Sequence, residues 1–77
     1  MDAYYQRLGQ RIRRARHDAG LKLEEVADSL GVDKSALHRW ETGERKATLP
    51  TLQRIADALG VKLDKLLADD KPRGIER

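Results

Sequence analysis

Apolar residues recur along this chain at helical spacing almost from end to end, and the periodic runs break at glycines. Tyr5, Leu8, Ile12, Ala15 and Ala19 fall on one stripe, which predicts a helix from about Tyr4 to Ala19 that stops at Gly20. A second run, Leu23 to Leu30, turns Val26, Ala27 and Leu30 inward and ends at Gly31. Asp33 is a good N-cap, because its carboxylate can accept the free backbone N–H groups two or three residues on. The helix it opens reaches Trp40 or Thr42 before Gly43. Thr48 caps a fourth helix, with Pro50 in the first turn, where a missing N–H costs nothing. Leu52, Ile55, Ala56 and Leu59 form its buried stripe up to Gly60, and a last helix runs from Leu63 to Ala68. These runs predict an all-α, compact five-helix domain over residues 1–68. A polar tail or truncated linker follows over 69–77, where Pro72 and Gly74 oppose helix. No strand alternation or internal repeat competes.

Composition narrows the class. The chain has 77 residues, enough for one small domain and no second. It lacks cysteine, so neither a disulfide nor a thiolate metal site is available. Two lone histidines, His17 and His38, cannot complete a zinc shell. No metal and no cofactor are expected. No apolar run approaches the roughly 20 residues that cross a bilayer, and the first residues lack the order of a signal peptide. A cytoplasmic location without membrane contact follows. Nothing suggests an enzyme, for there is neither a nucleophile–base pair nor a glycine-rich phosphate loop.

The net charge is only +3, yet five arginines and no acid stand between Arg7 and Arg16. Arg7, Arg11 and Arg14, at i, i+4 and i+7, form a strip that is either a solvated face or a phosphate-contacting one. A membrane-surface helix fits poorly, since the apolar stripe is narrow and has no Trp or Phe to anchor it.

The short helices Leu23–Leu30 and 33–42, joined by a tight glycine turn, are the parts of a helix-turn-helix if their crossing permits close approach. Ala27 is small at that crossing, Gly31 takes the turn, and Val26, Leu30, Val32, Leu37 and Trp40 fill the shared core. Here the sequence resembles the phage Cro and repressor-like (XRE-type, lambda-repressor-like) helix-turn-helix DNA-binding family. Trp40-Glu41-Thr42-Gly43, Thr48-Leu49-Pro50-Thr51-Leu52 and Ile55-Ala56-Asp57-Ala58-Leu59-Gly60-Val61 extend the resemblance, which covers about Leu8 to Ala68. It implies a lambda-repressor-like domain with helices 2 and 3 as the helix-turn-helix.

Stepping about 100° per residue puts Ala36, Leu37 and Trp40 on one side of the third helix and Lys34, Ser35, His38 and Arg39 on the other. A major groove admits one such helix, and Arg39 is the best base reader, its fork matching the O6 and N7 acceptors of guanine. The resemblance implies base reading from these four positions. It also places Arg45 and Lys46 in the loop that meets phosphates, and it implies a partly buried ion pair between Arg16 and Glu41. At the start of helix 2 the family has a polar cap followed by a phosphate-holding Gln. Lys22 and Leu23 stand there instead, so Lys22 is the expected substitute. Trp40 reads as a packed aromatic rather than a stacking platform.

One recognition helix touches few base pairs, so a homodimer on a palindromic double-stranded operator is expected. Val61, Leu63, Leu66 and Leu67 either make that contact or close the monomer's own core. The expected function is that of a sequence-specific transcriptional regulator, a repressor, in a bacterial or phage-encoded, nucleoid-associated setting. The alternative is an antitoxin or adaptor whose protein partner meets the acidic C-terminal third.

Overall fold

Helices stand where the apolar stripes predict them. A computed structural model describes residues 3–67, arranged as α1 (Ala3–Asp18), α2 (Leu23–Leu30), α3 (Lys34–Thr42), α4 (Leu49–Leu59) and α5 (Leu63–Leu67). No strand occurs among the described residues. Ala68 and the predicted tail over 69–77 lie outside them.

Local chemistry explains the turns. Gly31 takes a left-handed conformation (φ 72°, ψ 31°), which a Cβ would oppose. That twist lets the Gly31 and Val32 amides donate to the carbonyls of Asp28 and Ala27 at 3.1 and 3.0 Å, pairing groups the end of α2 would otherwise leave open. The hydroxyl of Thr48 accepts from the Thr51 amide at 3.4 Å and so caps α4, with Pro in the first turn. Asp33 departs from expectation. It occupies the N-cap of α3, but its carboxylate makes no cap hydrogen bond. Its backbone carbonyl accepts from Ala36 and Leu37 at 3.0 and 3.3 Å, which any residue could do.

The core gathers one stripe from each helix. Leu8, Ile12, Val26, Leu37, Ile55 and Leu66 are its largest fully enclosed side chains. Each contributes about 1.5–3 kcal/mol relative to exposure. α1 packs on α3, α4 and α5, α2 lies against α3 and α4, and α4 against α5. Leu66 belongs to this core outright, and Val61, Leu63 and Leu67 are half-buried against it. The α5 leucines therefore close the monomer, and Leu66 is no surface for a partner. Ala19, assigned to the α1 stripe, is exposed beyond the end of the helix.

α1 and α3 meet with almost nothing between their backbones. A Cβ on Gly9 would lie 2.5 Å from the Trp40 carbonyl oxygen and closer still to that of Glu41. Gly43, at φ 86°, ends α3 against Gln6, whose Cα would stand 2.8 Å from an added Cβ. Two glycines thus set how closely the first helix sits on the third.

Candidate nucleic-acid interface

The packing of α3 decides which of its residues reach solvent. Leu37 and Glu41 are buried, Ala36 and Trp40 half-buried, and Lys34, Ser35, His38, Arg39 and Thr42 form the exposed arc. The four expected base readers therefore share one face, with Thr42 on the same arc. The Thr42 hydroxyl donates to the Arg39 carbonyl at 3.2 Å and accepts from the Glu44 amide at 3.3 Å, tying the end of α3 into the next loop. Lys34 donates to Glu24 of α2 at 3.2 Å, with both side chains about 60 % exposed. A pair so wet contributes at most about 1 kcal/mol and opens readily.

The loop after α3 holds its cations on aromatic rings. The Arg45 guanidinium lies 5.7 Å from the Trp40 ring centre, and the Lys46 ammonium lies 5.4 Å from that of Tyr5. Each contact contributes about 0.5–1 kcal/mol at an exposed site. Trp40 is thus more than core filling: one part packs inward and its ring carries the Arg45 cation. Nothing in the spacing of Trp40 and Tyr5 announced this role.

Behind the arc sits the buried ion pair. Arg16 Nε donates to Glu41 Oε2 at 2.7 Å and Nη2 to Oε1 at 3.2 Å, a two-point fork. Nη1 donates to the Leu21 carbonyl at 3.1 Å. The side chains are 10 % and 3 % exposed. One guanidinium thereby joins α1, the turn before α2, and α3, and holds the tilt of the exposed arc.

At the start of α2 the Lys22 amide donates to Glu25 Oε1 at 2.7 Å. The Lys22 side chain has no acceptor atom, so it cannot complete the reciprocal cap. It is exposed beside Glu24 and Glu25, two carboxylates that favour the helix terminus but repel a phosphate there. Leu23 is half-buried against the core.

The α1 arginines divide between two flanks of the helix. Gly9 touches α3, whereas Arg11 Nε donates to the Leu66 carbonyl of α5 at 2.7 Å. By the helical step, Arg7, Arg11 and Arg14 all lie about 140–160° around α1 from Gly9. They line one cleft with Gln10, on the side of α1 turned away from Gly9, and do not join the α3 arc. Arg11 in particular is committed to helix packing. The α1 residue that does approach the arc is Arg13, about 40° from Gly9. It lines a cleft of about 120 Å³ with Arg16, Leu23, His38, Glu41 and Thr42. Its angular position was available in the sequence; which neighbour lay at that angle was not.

Among the described residues no group of three or more His, Cys, Asp or Glu could hold a metal ion, and no helix is long and apolar enough to cross a membrane.

The five-helix fold and the exposed arc of α3 define a helix-turn-helix domain of the phage repressor type. Residues 7–68 match the profile of the family described as "Helix-turn-helix domain", and the chain belongs to that family. It is 33 % identical over 61 residues to the cryptic phage CTXphi transcriptional repressor RstR of Vibrio cholerae, which covers 79 % of this chain and 55 % of RstR. The chain thus spans about half the length of that curated relative. Among solved structures, the restriction-modification controller protein C.AhdI from Aeromonas hydrophila superposes with TM-score 0.80 at 32 % identity, covering 84 % of this chain and 98 % of that one. The DNA-binding domain of the P22 c2 repressor superposes with TM-score 0.77 at 27 % identity, covering 95 % and 93 %.

Proposed function

We propose that the chain is a sequence-specific double-stranded DNA-binding transcriptional regulator, acting as a repressor by occupying a palindromic operator as a homodimer. The observation that carries this reading is the exposed arc of α3, where Lys34, Ser35, His38 and Arg39 stand clear of the core while the Arg16–Glu41 fork fixes the helix behind them. Arg39 reads a guanine through its two-point fork, and Lys34 and Ser35 reach base edges from the first turn. Arg45, Lys46 and Arg13 meet phosphates, which set register and supply most of the affinity. A two-fold pair spaces its half-sites by about 34 Å, one turn of the duplex. The names of RstR and of the P22 c2 repressor support the repressor role. Such a protein works on cytoplasmic DNA by occupancy, without catalysis.

Selection of bound duplexes from a random pool tests the proposal. The expected product is an inverted repeat with half-sites about one helical turn apart. A pool that shows no enrichment over arbitrary fragments at physiological salt would overturn it.

A further inference from the structure

The cleft lined by Arg7, Gln10, Arg11 and Arg14 measures about 110 Å³ and has three guanidinium groups and no acid in its wall. Arg7 and Arg14 have no hydrogen-bond or ion-pair partner among the described residues. Arg11 engages only Nε, with the Leu66 carbonyl. Like charges three and four residues apart on a helix repel one another, so the cluster lowers stability unless an anion sits among its members. Arg16, one face away on the same helix, shows the opposite arrangement, with a carboxylate on its fork.

We propose that this cleft is a phosphate site separate from the α3 surface. Planar guanidinium forks match the oxygens of a phosphoryl group two at a time, and Gln10 adds an amide donor. The Leu66 carbonyl holds Arg11 at the wall of the cleft before any ligand arrives, which reduces the ordering required on binding. A doubly charged tetrahedral anion neutralises more of the cluster than a single carboxylate does. The phosphoryl group comes either from a free phosphorylated compound or from the backbone of a second nucleic-acid strand. The site does not depend on the reading of α3, so either can fail without the other.

The experiment titrates pyrophosphate into the isotope-labelled full chain at low salt and follows the arginine Nε–H signals by NMR. The expected result is saturable movement of the Arg7, Arg11 and Arg14 signals. The double variant R7Q/R14Q removes two exposed side chains without fold contacts, and it should weaken pyrophosphate binding about tenfold or more, the scale of losing charge-assisted hydrogen bonds. Without the anion, R7Q/R14Q should melt at the same temperature as the parent or higher, which also shows that it folds. A short random-sequence duplex that moves the same three signals identifies nucleic acid as the source; signals that respond to pyrophosphate alone identify a free phosphate compound. Equal pyrophosphate affinity in parent and R7Q/R14Q, or shifts spread evenly over all arginines, would overturn the proposal.

Discussion

The two flanks of α1 carry the same residue type to opposite ends. On the flank facing α3, Gly9 removes a side chain so that two backbones can meet, and Arg16 is buried with its charge matched by Glu41. On the flank facing α5, Arg7 and Arg14 are exposed and unmatched, and Arg11 bonds a backbone carbonyl rather than an acid. Arginine content therefore says little about this helix; the neighbour at each angle says nearly everything. A buried guanidinium must be paired because its desolvation is costly, while an exposed one tolerates like-charged neighbours at small cost.

The largest expected effect breaks the first flank. Glu41→Ala leaves the buried Arg16 charge without its partner and should cost about 3–5 kcal/mol. A domain of this size has only about 4–12 kcal/mol in total, so urea melts should show a transition at much lower denaturant. The double variant Arg16→Met/Glu41→Leu removes both charges and should recover most of that loss, because no uncompensated ion remains. Next comes Gly9→Ala, whose methyl would press on two fixed carbonyls. A loss of about 3 kcal/mol is expected, with α3 signals moving most in an NMR spectrum. Arg39→Ala should leave the melt unchanged and weaken binding to the selected duplex by about 1–3 kcal/mol, with relaxed preference at one base pair. Equal losses on cognate and random DNA would remove its role as a reader. The smallest effect lies away from α1, at the exposed pair between α2 and α3: Glu24→Gln, which frees Lys34, should shift stability by less than about 1 kcal/mol, against the several expected for the buried pair at Glu41.

Much of the fold was legible because the apolar period and the glycine stops are local signals. Leu52, Ile55, Ala56 and Leu59 line the core as their spacing implies. The cap at Thr48 was equally readable, whereas Asp33 marked a boundary without revealing that its carboxylate makes no bond there. Gly9 escaped notice because a glycine inside a helix adds nothing to an apolar stripe; only the partner backbone gives it meaning. The arc of α3 could be drawn from a wheel, since its core side is apolar. The strip Arg7, Arg11 and Arg14 could be drawn too, but a wheel gives angles and not neighbours, so its orientation toward α5 was hidden. The rings beneath Arg45 and Lys46 were hidden for the same reason, being contacts between a loop and two separate helices.

The bare glycine crossing has a mechanical consequence. With no side chain as a cushion between Gly9 and the Trp40–Glu41 carbonyls, α3 cannot rock without dragging the longest helix along. A duplex that docks on it would meet a stiff probe and would itself have to supply any bending or twisting. Base steps that no side chain touches would then be sorted by how easily they deform.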